Sequence, residues 1–461
     1  MKKSQEKKSC GCGDKTGFRS PYATLERLRA KAQKGDEVFA VALERENGYV
    51  VRFELPIPHG AADCPCARRL CERVVKFLLW SAGGWKIMLS GPRKICLPIK
   101  QAYTAEGDRK FDYQFMSKVY GRPLTVQIKR YDQLPEANER TLAIDQRKNG
   151  CRIGFDLGAS DFKISALKKG KVVFSKEFPW DPRNQADPEY HYRMLNDGLK
   201  EAAATLPRVD AIGGSTAGIV IDNHLQIASL FRAIEEKNPG QFATAQNLFM
   251  RLKKEWNVPL EVANDGDVTA LAGLMALGRK GILGVAMGSS EAAGFIDRDG
   301  CLTGRLSELA FAPVDMAKDA PCDEWSGDAG VGAMYFSQQA VNHLALTCGM
   351  KFAKSMPLPE RLKVVQAKME EKDVLAYRIY QQTGIALANT VPWYREFYGF
   401  DNLMILGRVT SGFGGVVILE TAKAVLKDRY PEIAEQVEIF MPDEKARRLG
   451  QSVAAASLPE L

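Results

Sequence analysis

The chain has 461 residues, of which 45% are hydrophobic and 26% charged, and a formal net charge of +8. This describes a globular protein of two or three domains and excludes a disordered or fibrous chain. No apolar run approaches the roughly 18 residues a membrane span needs, and the Lys-rich N-terminus leads into no apolar stretch of the signal-peptide kind, so a cytoplasmic protein without a membrane partner is expected.

The charge is local. Residues 1–35 hold ten Lys/Arg and three Asp/Glu, a net of +7, leaving +1 for the rest. This basic, Gly/Ser-dotted stretch reads as a flexible, solvated arm. Neither a helix-turn-helix pattern nor aromatic-basic interleaving follows it, which argues against a nucleic-acid partner. Ten cysteines in an intracellular chain are expected to be reduced. Two groups stand out: Cys10-Gly11-Cys12, and His59 with Cys64, Cys66 and Cys71. The spacing of the second is not that of a zinc ribbon, and ordinary packing is the favoured reading.

Residues 36–148 read as a mixed α/β accessory region. Runs at 39–43 and 49–53 flank Asn47-Gly48, a hairpin signal. A helix from Ala67 to Trp80 follows, with Leu70, Val74, Val75, Leu78 and Leu79 at helical spacing. After Gly83-Gly84 comes a strand at 85–89. This region reveals no chemistry in its sequence, and its role stays unassigned.

Beyond Gly150 the pattern changes. A strand at 152–155 ends in Asp156-Leu157-Gly158-Ala159-Ser160 and returns as Phe162-Lys163-Ile164-Ser165-Ala166-Leu167. A Rossmann or P-loop site would send such a glycine turn into a helix. A strand–Asp-x-Gly–strand unit instead offers turn amides to phosphate and an Asp to hydrated Mg²⁺, although a plain hairpin explains this unit alone equally well. A buried strand then runs into Gly214-Ser215-Thr216-Ala217-Gly218. Another ends at Asn264-Asp265-Gly266-Asp267 and opens a helix closed by Gly278. At that helix N-terminus the dipole favours an ionised Asp265, as a general base requires, with Asp267 placed to cap. The strand 282–287 enters Gly288-Ser289-Ser290-Glu291, repeating the earlier unit as a second lobe would. A strand at 403–406 leads into Gly407–Gly412 and a helix from Val416, and a last helix is expected over Lys445–Ala456.

Taken in order, these segments resemble the ROK family (repressors, uncharacterised reading frames and sugar kinases) of the actin/hexokinase superfamily. Residues 156–160 look like its Asp-x-Gly-Gly-Thr loop, 215–220 its sugar-side turn, and 264–267 its Asn-Asp-x-Asn motif. Gly288–Gly294 falls on its glycine-rich second loop, Ser307–Phe311 on Gly-Glu-x-Gly-His, and 327–337 on the segment around Cys-Gly-x-x-Gly-Cys. The resemblance covers about residues 150–458. It implies a two-lobed actin/hexokinase-like (ribonuclease H-like) α/β fold over 149–461, with lobe I at about 149–265 plus the C-terminal helix and lobe II at about 266–440.

The resemblance further implies an ATP- and Mg²⁺-dependent kinase of a sugar or sugar-like hydroxyl. Asp265 would be the catalytic base, with Asn264, Glu308 and Gly218 on the sugar. Asp156 (also holding Mg²⁺ through water), Gly158, Ser160, Lys163, Gly288, Ser289, Ser290, Gly407 and Gly412 would take ATP. The partners are then a sugar and ATP, with a homodimer left open. Phe311, Ser326 and Val331 stand at the family's zinc positions, so no structural zinc is expected. Phe311 and Ala333 also replace sugar-contacting residues, and Glu291 puts a carboxylate in the second loop. These departures keep two rivals open: a non-catalytic ROK-like sugar sensor, and an ATPase of the superfamily that drives another protein.

Overall fold

The computed structural model describes residues 17–144, 149–227, 230–442 and 450–461. Cys10, Cys12 and the start of the expected last helix lie outside them.

The first sheet is built from β1 (Glu37–Glu44), β2 (Val50–Ile57), β3 (Lys86–Ser90) and β4 (Thr125–Ile128), in the order β2-β1-β3-β4. Asn47 and Gly48 join β1 to β2 with φ of 53° and 77°, the left-handed pair that a tight hairpin turn asks for. A short β5 (Leu142–Ala143) then leaves this region for a different sheet.

Two further sheets share one plan. In the first lobe β6 (Cys151–Leu157), β7 (Asp161–Lys168) and β8 (Lys171–Pro179) form an antiparallel meander, and β9 (Ala211–Thr216) lies parallel to β6. The hairpin β10 (Ile219–Ile221) and β11 (His224–Ile227) precedes β12 (Leu260–Asn264), which completes the order β12-β9-β6-β7-β8. In the second lobe β13 (Ile282–Met287), β14 (Glu291–Ile296) and β15 (Cys301–Leu302) form the meander. Here β16 (Asn402–Leu406) and β17 (Glu438–Phe440) add the parallel side, and β5 extends the far edge. The helix Asp265–Leu277 links the lobes and closes on Gly278, at φ 67°. In each lobe the parallel strands end on the same side, where loops and helix starts can meet a ligand.

Close backbone approaches fix this arrangement. A β carbon on Gly154 would lie 1.8 Å from the Ser452 carbonyl oxygen, and one on Gly213 1.7 Å from that of Ala455. Only glycine lets the terminal helix Gln451–Ala455 sit on β6 and β9. Likewise, a β carbon on Gly294 would fall 2.1 Å from the Gly266 backbone, so the linking helix lies directly against β14.

One expectation changes. Residues 21–31, placed in a flexible arm, form the helix Pro21–Lys31 with Leu25 and Leu28 buried, because those side chains share a face that docks on the main core. The accessory region also packs into the second lobe: residues from Leu25 to Leu124 share one continuous hydrophobic core with residues from Leu283 to Ile439. The ring of Phe77, on the helix Pro65–Ser81, lies tilted 4.3 Å from that of Phe397, and Trp80 lies 4.6 Å from Phe311. Beside them Asp328 pairs with Arg73, Lys76 and Arg109 at 2.7, 2.9 and 2.9 Å, while Lys76 also meets Asp112. Thus Phe311 packs among aromatics, and Ser326 donates its hydroxyl to Asp323. Among the described residues no three His, Cys, Asp or Glu side chains gather as a metal set.

Candidate functional site

The ends of β6, β9 and β12 carry Asp156, Thr216 and Asn264 in adjacent register. Asp265 follows as the first residue of the linking helix, where the amide ends face it. Its carboxyl is nevertheless raised to about 6, by burial first and then by repulsion from Asp156. The dipole argument alone predicts a lower value. Removal from water outweighs it. The carboxylate is still mostly ionised at neutral pH, in the range that suits a base. Glu308 rises to about 7 through burial and the Asp265 charge, and burial also raises Asp156. Three carboxylates therefore share one electrostatic neighbourhood across the two lobes.

Asn264, not Asp267, caps the helix, its side-chain oxygen accepting from Gly266 N at 2.8 Å. Its amide nitrogen donates to the Gly218 carbonyl at 2.8 Å, tying the β9 turn to the end of β12. Gly218 sits at φ 108°, a conformation glycine tolerates. The resemblance puts Asn264 on the sugar, and here each end of its amide also makes one bond within the fold. Asp267 instead accepts from Phe295 N at 3.1 Å, is buried, and is pushed up to about 7 by burial first, with the Asp265 charge adding to it.

Glu308 is positioned from the N-terminal region. The amides of Leu306, Ser307 and Glu308 donate to the carbonyls of Ala82, Ser81 and Trp80 at 3.1, 2.9 and 3.0 Å. The helix Pro65–Ser81 thus spends its terminal acceptors holding the segment that carries Glu308. Next to Asn264 and Asp267 lies a cavity of about 60 Å³, also lined by Gly218, Arg45, Tyr120 and Arg140. Arg45 is buried and donates to the Thr303 and Gly304 carbonyls. Sequence reasoning missed Arg45, Tyr120 and Arg140, since nothing local in a hairpin, a helix end or a loop announces a pocket formed with distant residues. Asp267 was visible only as a cap.

At the turns expected to take ATP, Gly158 N donates to Asp161 O at 3.0 Å, closing the β6–β7 turn. A β carbon on Gly158 would meet that oxygen at 2.6 Å. Ser160 is exposed and its hydroxyl bonds Asp161. Lys163 faces Asp156 across the strand pair and lowers its pKa, against the larger effect of burial. Across the cleft Gly288 N donates to Ser290 O at 3.0 Å, and Ser289 and Ser290 are exposed. Gly407, at φ 104°, packs its backbone on Met287, where a β carbon would lie 2.6 Å from the carbonyl oxygen. Gly412, at φ 70°, opens the helix Phe413–Arg429. Glu291 turns into the second-lobe core: it is 3% exposed and accepts from the Tyr394 hydroxyl at 3.0 Å.

No family model and no curated protein matches the chain. Solved structures do. A ROK hexokinase from Thermus thermophilus superposes with a TM-score of 0.53 at 14% identity, covering 67% of this chain and 98% of that one. The chain has the ROK fold of the actin/hexokinase type. A ROK family transcriptional regulator, described as a homolog of the E. coli MLC protein, gives a TM-score of 0.52 at 17% identity over 67% of this chain and 78% of that one. Kinase and regulator share this fold, so fold alone does not select between them.

Proposed function

We propose that the chain is a ROK-type, ATP-dependent kinase acting on a sugar or sugar-like hydroxyl in the cleft between the two lobes. The observation that carries the reading is Asp265, a buried carboxylate at a strand end and helix start, raised to about 6 and coupled to Asp156 on one side and Glu308 on the other. Asp265 takes the proton of the attacking hydroxyl. Glu308, near half-protonation at neutral pH, orients a neighbouring hydroxyl as donor or acceptor.

Asp156 and Asp265 are hard oxygen donors whose mutual repulsion a cation would relieve, a donor set that fits Mg²⁺ held mainly by phosphates and water. That ion would neutralise the charge of the transferring phosphoryl group. The chain's own part is positioning. The Gly158 turn and the Gly288–Ser290 turn face the phosphates, Gly407 and Gly412 flank the nucleotide, and lobe closure excludes water.

One observation favours a sugar sensor without turnover. The Gly288–Ser290 loop is a tight turn whose first amide is used internally, so it has fewer amides free for phosphate than a glycine-rich stretch would. A thermal-shift screen of sugars with and without Mg-ATP separates the readings, since ligand bound to the native state raises the melting temperature. The kinase reading expects one sugar to raise it, more so with a non-hydrolysable nucleotide, and to release ADP when ATP is supplied. A sugar shift with no ADP formed would favour the sensor.

A further inference from the structure

The N-terminal region touches both lobes, but in different ways. With the second lobe it shares one continuous hydrophobic core. The first-lobe core holds no residue before Cys151. The hydrogen bonds and ion pairs that join the two, among the described residues, run between charged or amide side chains. Two hairpin tips meet there. Asn47 of the β1–β2 turn donates its side-chain amide to Asp222 at 2.9 Å, and Arg140 donates to the other oxygen of that carboxylate at 3.0 Å. Arg140 also lies 3.7 Å from Glu261, and Lys118 on the helix Lys110–Val119 pairs with Glu235 on the helix Arg232–Lys237.

Both sides of this contact are held in place. Asp222 and Asn223 form the β10–β11 turn at φ 50° and 61°. The Asn223 side chain fixes that turn to β12, donating to Leu260 O at 3.0 Å and accepting from Val262 N at 2.7 Å. On the other side, Glu139 pairs with Arg305 of the second lobe at 2.7 Å, and Asn138 exchanges backbone hydrogen bonds with Val50 of β2, so Arg140 is carried with the second lobe. The contact is complementary in charge, with Asp222, Glu235 and Glu261 on the first lobe facing Arg140 and Lys118. The Arg140 and Asp222 side chains are 20% and 44% exposed. Such pairs are individually weak and screened by salt, which suits a contact that forms and releases as lobes move. Arg140 and Asp222 also line the cavity beside Asn264 and Gly218, so releasing them opens that end of the cleft. We propose that the N-terminal region is a charge-held clasp: it moves with the second lobe, grips the first at Asp222, Glu235 and Glu261, and so favours the closed cleft. This role holds for a kinase and for a sensor alike.

The test is small-angle X-ray scattering of the full chain without ligand. It compares the parent, the charge-reversed Lys118→Glu/Arg140→Glu variant, and that variant with Glu235→Lys added. The clasp expects a larger radius of gyration in the double variant, whose new carboxylates face Asp222, Glu235 and Glu261. It expects a return part of the way to the parent value when Glu235→Lys restores one pair with its signs exchanged. Circular dichroism checks that the variants are folded. An unchanged radius in the folded double variant, or an expansion that Glu235→Lys leaves as it is, overturns the proposal. If the double variant does not fold, the parent decides. Its radius should grow as salt is raised from about 0.1 to about 1 M, where the Debye length falls from about 10 to about 3 Å, and a radius unmoved by salt overturns the proposal.

Discussion

Replacing Glu291 by glutamine removes a charge the fold does not accommodate. The side chain is 3% exposed, one oxygen accepts from Tyr394, and the other has no partner among the described residues. That second oxygen lies close against Gly332, where an added β carbon would come within 1.9 Å of it. Burial raises the carboxyl from 4.5 to about 8, with the Tyr394 hydrogen bond opposing. The folded state therefore keeps a proton that the unfolded chain has lost between those values. It binds more protons there, and stability must fall as pH rises through that window. At about 1.4 kcal/mol per unit of separation the loss is on the order of 4 kcal/mol by pH 8. Glutamine keeps the shape and an acceptor for Tyr394 and carries no such titration. Parent and variant should melt within a degree or two of each other near pH 5. Near pH 9 the variant should melt several degrees higher, with Mg-ATP affinity unchanged because the side chain turns away from the loop. Differential scanning calorimetry across this range is the assay, and parallel pH profiles for the two proteins would refute the reasoning.

Asp328→Ala should destabilise the chain by about 3–5 kcal/mol, since Arg73, Lys76 and Arg109 lose a shared buried partner; urea unfolding measures it, and a loss under about 1 kcal/mol would contradict the role. Gly213→Ala should displace the helix Gln451–Ala455 from β9, because the new carbon would lie 1.7 Å from the Ala455 carbonyl oxygen. Hydrogen exchange over residues 451–461 should then rise well above that of the parent, and unchanged protection would count against it. With Phe311 among aromatics and Ser326 bonded to Asp323, the purified protein should carry no stoichiometric zinc. Elemental analysis finding about one zinc per chain would reverse that.

The fold of residues 149–461 was legible because each lobe announces itself locally: a strand, a small-residue turn and a returning strand, twice, with glycines where backbones touch. Asp265 could be placed at a strand end for the same reason. Its raised pKa could not, since burial and the approach of Asp156 depend on how segments far apart in the chain pair within the first-lobe sheet. The N-terminal region was opaque for a related reason. Its helix Pro65–Ser81 reads as amphipathic, but nothing in that pattern says its last carbonyls will hold residues 306–308. Leu25 and Leu28 sit in a stretch whose lysines and arginines suggested a solvated arm, and two buried leucines on one helix face are too short a signal to outweigh them. Glu291 looked like a threat to phosphate binding because alternation along β14 does not reveal which face is the core side.

The account stands most directly on Asp265. Once an accepted sugar is found, ADP release is measured against pH for the parent and for Asp265→Asn, with nucleotide binding followed separately. The account predicts that the parent loses activity on the acid side with an apparent pKa near 6. It also predicts that the variant binds ATP nearly as well but turns over at least about 10²-fold more slowly, the usual worth of a positioned base. Equal turnover in the two proteins would contradict it.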